Sequence, residues 1–211
     1  MSGCFTEAMA TTAGATRVGY RRRILGGAAG NARLTALSGA LLLVLLAVEG
    51  ATIPFLRSLL SVHIFVGMLL LGPVALKLAS TGYRMIRYYS RAREYVEAGP
   101  PAPLMRVLVA PVLVISTLTL FTTGVLLIAS PQRGAVLGLH KASFVVWLVA
   151  CGIHVLVYAV RTMRELLAER VGGGLLRAGL VLAALAIGVA VAVATYPLAG
   201  PWLHGGLAWD H

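Results

Sequence analysis

The sequence predicts an all-α fold: a polytopic membrane bundle of five transmembrane helices, with the N-terminus inside and the C-terminus outside. Composition is the first reason. Of 211 residues 59% are hydrophobic and only 12% charged, with a mean hydropathy of +0.88, which is more apolar surface than a water-soluble domain of this size covers. Distribution is the second, because the apolar residues fall into five runs of about 20, the length a bilayer core demands of a helix. Lipid offers no hydrogen bond to a strand edge, and no run shows the short alternation of a barrel strand, so each run reads as a helix. The third is where the charge lies. A net charge of +11 would suit nucleic acid only on a basic face of a soluble module, and here the basic residues sit between apolar spans.

In chain order, residues 1–33 form a polar, basic tail rich in Ala, Gly and Thr. Arg22 and Arg23 ahead of an apolar run have a faint twin-arginine look, but no small-residue cleavage site follows Ala47, so the first helix is expected to stay uncleaved. The spans are Leu34 to Ile53, Leu59 to Thr81, Val107 to Ala129, Ala142 to Val160 and Ala178 to Tyr196, making residues 34–197 the bundle and 198–211 an extracytoplasmic tail. Pro73 and Pro111 are expected to kink the second and third spans. The chain's Gly content suits close helix packing in lipid. Cys4 and Cys151 lie too far apart in depth for a disulfide framework.

Orientation comes from the basic flanks, which are retained on the cytoplasmic side. Arg17, Arg21, Arg22, Arg23 and Arg33 precede the first span. Arg84, Arg87, Arg91, Arg93 and Arg106 lie between the second and third, and Arg161, Arg164, Arg170 and Arg177 between the fourth and fifth. These are fourteen of the eighteen basic residues. The opposite loops hold Arg57 and Arg133. Tyr83, Tyr88 and Tyr89 then belong at the inner interface, and Trp202 and Trp209 at the outer one.

Ionisable residues inside spans are the informative ones in lipid: Glu49, His63, Lys77, His140, Lys141 and His154. His63 lies near the outer start of the second span and His140 at the outer start of the fourth, whose helix is expected to begin near Ala135. The two imidazoles stand at similar depth on parallel helices, an arrangement that can hold one haem iron by two axial nitrogens. From His140 to His154 is 14 residues, about 21 Å of rise and nearly four turns, so both face the same way. Phe144, Trp147, Cys151 and Tyr158 share that face, an aromatic lining suited to a flat macrocycle. Gly67, one turn below His63, leaves room for a porphyrin at the backbone. Fourteen residues beyond His63 stands Lys77, where a second bis-His site would need a histidine.

Each residue has a plainer reading. An intramembrane His commonly makes a helix–helix hydrogen bond; for His154 the partners would be Ser116, Thr117, Thr119, Thr122 or Thr123. Trp147 fits ordinary packing. Lys77 either snorkels to the inner boundary or ligates a second iron, which a charged amine opposes. Glu49 either snorkels outward or serves proton traffic, and Lys141 or Arg57 would pair a haem propionate. His204 and His211 lie in the outer tail with no role expected.

The segments Lys77 to Arg84 (KLASTGYR), Arg87 to Tyr89 (RYY), Gly99 to Pro101 (GPP), Leu139 to Lys141 (LHK) with Ser143 and Phe144, and His154 to Leu156 (HVL) resemble a bacterial family of cytochrome b-like integral membrane proteins. More distantly, the chain is similar to the haem b membrane subunits of hydrogenases and formate dehydrogenases. The closer resemblance covers roughly residues 34–163. It implies haem b between helices, held by residues matching His63, His140 and His154, and electron transfer in a bacterial cytoplasmic membrane. Tyr158 stands where relatives often carry a further histidine, which weighs against a second haem. The expected function is an electron-transfer subunit, linking a quinone or quinol pool to a redox partner protein through one haem b. The rival is a cofactor-free membrane protein, a small permease or structural anchor, whose histidines serve packing or proton relay.

Overall fold

A computed structural model describes residues 26–99, 103–130, 134–167 and 172–204. Cys4, Arg17, Arg21, Arg22, Arg23, Pro101, Arg133, Arg170, Trp209 and His211 lie outside the described residues. Among those described, the fold is helical with no strand: α1 (Gly27–Thr52), α2 (Leu56–Leu69), α3 (Leu71–Tyr89), α4 (Arg93–Glu97), α5 (Ala110–Ala129), α6 (Ala135–Leu167), α7 (Gly174–Thr195) and α8 (Gly200–His204). Four stretches are long and apolar enough to cross a membrane: Gly27–Tyr89, Met105–Ala129, Ala135–Leu167 and Gly174–Leu203. The chain is a multi-pass membrane protein.

The first stretch doubles back on itself. A 3-10 turn at Ile53–Phe55, carrying Pro54, separates α1 from α2, and the backbone leaves helical geometry again at Leu59. Hydrogen bonds then zip α1 to the returning α2 and α3 in antiparallel register. Thr52 meets His63 near the turn, while Asn31 and Thr35 meet Ser80 at the far end.

The helix of the second span is interrupted at Leu70, three residues before Pro73. Pro73 has no N–H to return to the carbonyl of Leu69 four residues earlier. That carbonyl oxygen lies directly over Gly188 of α7, in space a Cβ there would occupy, and Gly72 presses in the same way on the backbone of Ala184. Ala184, Gly188 and Ala192 recur every four residues and are buried, the small-residue stripe that lets two backbones touch in lipid. Pro111 acts differently. It sits in the first turn of α5, and the turn before it, Met105–Val109, is a π-helix. The wider turn takes up the bonding pattern that the missing N–H interrupts.

Helix α6 has 33 residues, so at 1.5 Å per residue it runs about 50 Å and projects past a bilayer core of about 30 Å. Its last turn is capped from α1: the Arg33 guanidinium donates to the carbonyls of Glu165 (2.6 Å) and Leu166 (3.2 Å), where the helix dipole favours a cation. At the other end of that dipole logic, the Glu94 carboxylate accepts from the Ala28 N–H in the first turn of α1. The expected outer tail is partly structured. Tyr196–Ala199 and α8 fold back, and the Trp202 indole donates to the Leu127 carbonyl at 2.6 Å.

The packing order is what positions the site. α5 pairs with α6, α7 packs on α2 and α3, and α1 touches α2, α3 and α6. α2 and α6, which carry the two histidines of interest, scarcely touch each other. Both helices pack on α1.

Candidate functional site

On α6 the inward stripe contains His140, Ser143, Phe144, Trp147, Ala150, Cys151, His154 and Tyr158, each buried or half-buried, while the residues between them are largely exposed. The structure brings His63 and His140 within electrostatic reach of each other. It does the same for Lys77 and His154. Lys141 is exposed on another face of α6, and Arg57 is exposed beyond the turn.

His63 Nδ1 lies 2.9 Å from Thr52 Oγ1 and 2.9 Å from Glu49 Oε1. The Thr52 hydroxyl spends its proton on the Glu49 carbonyl at 2.6 Å. Toward the ring it can only accept, as can a carboxylate, so Nδ1 carries the hydrogen, and Nε2 makes no hydrogen bond among the described residues.

His140 repeats the logic with neutral groups. Its Nδ1 lies 3.0 Å from Thr123 Oγ1, and that hydroxyl donates to the Thr119 carbonyl at 2.7 Å. Leu120's carbonyl, another acceptor, borders the same imidazole. Nδ1 again holds the hydrogen, and the ring rests on Gly124, where a Cβ would come 3.4 Å from its Cε1. Two imidazoles on separate helices thus share one tautomer.

Other expectations are revised by the packing. Glu49 turns inward to His63, not outward to the interface, and its carboxylate takes the space above Gly67, 3.3 Å from where a Cβ would stand. Lys77 does not snorkel: its amine donates to the Thr35 carbonyl at 2.6 Å, over Gly39 of α1. His154 makes no bond to the Ser and Thr residues of α5; its ring packs on Tyr158 with centroids 4.8 Å apart. The α5 hydroxyls serve other partners, Thr123 taking His140 and Thr117 taking the Trp147 indole at 3.0 Å. Trp147 also stacks on Phe144. Sequence reasoning missed Thr52 altogether, although Thr52 and Glu49 stand three apart on one helix face.

Two surface concavities lie elsewhere. One is a polar cleft of about 410 Å³ lined by Arg87, Ala92, Arg93, Glu94 and Glu97, and the other is a shallow apolar face of α7. Comparison with known protein families, curated proteins and solved structures finds no match for this chain.

Proposed function

We propose that this chain is a b-type cytochrome of the bacterial cytoplasmic membrane, an electron-transfer subunit that connects a quinone or quinol pool with a redox partner protein. One observation carries the reading. His63 and His140 lie within electrostatic reach of each other, and the Nδ1 of each meets a side chain of a neighbouring helix, Thr52 and Glu49 for His63 and Thr123 for His140, while Nε2 makes no hydrogen bond among the described residues. Metal-bound histidines have this second contact as a rule, because it fixes the ring and strengthens the donor nitrogen. The residues present fit haem b on that count. His63 and His140 would hold haem b through their Nε2 atoms, and the group would supply one-electron exchange there.

The chain's own residues do the rest. Thr52 with Glu49, and Thr123, orient the two rings, while Phe144 and Trp147, stacked on the same stripe of α6 as His140, offer an aromatic wall. At the other end, Lys77 is engaged by Thr35, so His154 lacks a second ligand and is read as lining a quinone site; a single haem per chain is the expected content. Because Gly27–Tyr89 folds into an antiparallel pair, the four apolar stretches make five passes, with the basic loops inside and the C-terminus outside.

The rival is a cofactor-free permease or anchor, and the same hydrogen bonds favour it to a degree: each imidazole already has a helix-packing partner. The absorbance spectrum of protein purified after expression with haem supplied separates the two. Low-spin bands at about one haem per chain are expected, and they should collapse in His63→Ala and in His140→Ala. A colourless wild type would hand the chain to the rival reading. Unchanged spectra in both variants would break the pairing.

A further inference from the structure

We propose that Glu49 is a positioning residue for the outer iron site: its carboxylate fixes the His63 ring and shifts the site toward the oxidised state. The inference rests on the haem b reading above.

Three observations on the page converge. Glu49 Oε1 shares the Nδ1–H of His63 at 2.9 Å, and Gly67 lets the carboxylate lie flat against α2, since a Cβ there would crowd Oε1 at 3.3 Å. The other oxygen, Oε2, is buried with no hydrogen-bond partner, and the side chain is 14% exposed. Among the described residues, His63 is the ion-pair partner Glu49 has. A buried carboxylate oxygen without a partner is costly, and the single contact of Oε1 with His63 offsets only part of the group's desolvation. A positive iron centre on the far nitrogen of that imidazole would supply the missing counter-charge through the ring.

The pair is also asymmetric, which makes the idea testable inside one molecule. His140 has a neutral hydroxyl in the corresponding place. A carboxylate makes its histidine a stronger donor than a hydroxyl does, and a fixed negative charge near iron stabilises the ferric form over the ferrous.

The experiment is a potentiometric titration of purified, haem-loaded wild type, Glu49→Gln and, as a control on the exposed face of α7, Leu182→Ala in one detergent at one pH. Glu49→Gln is expected to favour reduction by tenfold or more, an upward shift of at least about 59 mV for one electron, while Leu182→Ala stays within threefold of wild type. The ferric low-spin EPR signal of Glu49→Gln should move toward that of neutral bis-imidazole ligation. A Gln variant with full haem content and a potential within threefold of wild type overturns the assignment of Glu49 and leaves the cytochrome reading standing. A wild type that binds no haem overturns both. Should the Gln variant fail to assemble, Glu49→Asp, which draws the carboxylate back from His63 Nδ1 by one methylene, is expected to favour reduction by at least threefold; no shift there overturns the proposal equally.

Discussion

Two threonine hydroxyls decide the state of the two histidines, and both do so by spending their own proton on the backbone. Thr123→Val removes the acceptor and strands the Nδ1–H of His140, a loss of about 1–3 kcal/mol for a buried donor. Expressed as haem retention, transfer to a haem-scavenging protein should accelerate by roughly tenfold, one decade per 1.4 kcal/mol; a rate equal to wild type would show that Thr123 does not orient the ring. His63 and His140 were legible because depth can be counted along helices. Their partners were less so, yet the hairpin register contained one of them. Thr123 and His140 are 17 apart and Thr117 and Trp147 are 30 apart, and the two pairs share nearly the same midpoint in the sequence. That register sets His154 opposite Ala110, which has no hydroxyl to give. Glu49 was not legible, since inward and outward orientations differ only in how α1 is rotated about its axis, and packing sets that rotation.

At the level of elements, the proline positions were legible and their effects were not. A missing N–H is a property of sequence, but where the freed carbonyl finds relief depends on the neighbour. Pro73 leaves Leu69 to Gly188, and Pro111 is accommodated by a π turn in its own helix. The contact between α2, α3 and α7 therefore rests on backbone approach and not on side-chain volume. Gly188→Leu should pry these helices apart at a cost of at least about 1–3 kcal/mol, the usual range for overpacking. Thermal unfolding in mild detergent would register this as a lower midpoint, whereas Leu182→Ala on the exposed face of α7 should change little. A Gly188→Leu protein as stable as wild type would mean that the two backbones do not meet.

Taken whole, the chain's membrane character was plain from composition, and its helical class from the absence of alternation. The pass count is a subtler matter, because Gly27–Tyr89 is one nearly unbroken helical stretch of 63 residues, and only the tertiary bonds between its halves show that it doubles back. Basic residues at 84–106 and 161–177 predict that these loops face the cytoplasm. Reporter fusions at residue 95 and residue 205 should give cytoplasmic and external signals respectively. A cytoplasmic signal at 205 would remove the outward C-terminus and with it the common depth of His63 and His140.

The close fit of α7 against Gly72 and the Leu69 carbonyl bears on how the protein is made. During synthesis α2 and α3 enter the membrane long before α7 exists, so for that interval a backbone carbonyl that Pro73 cannot satisfy faces lipid. The nascent chain carries an open wound in its third quarter-turn of assembly, and the last-inserted helix dresses it. Chains truncated at residue 172 would keep the other long apolar helices and both histidines, yet leave that carbonyl bare. An unsatisfied backbone group in hydrocarbon costs several kcal/mol, so pulse-chase labelling should find the truncated chain shorter-lived than the full chain, its lifetime tied to the arrival of one glycine.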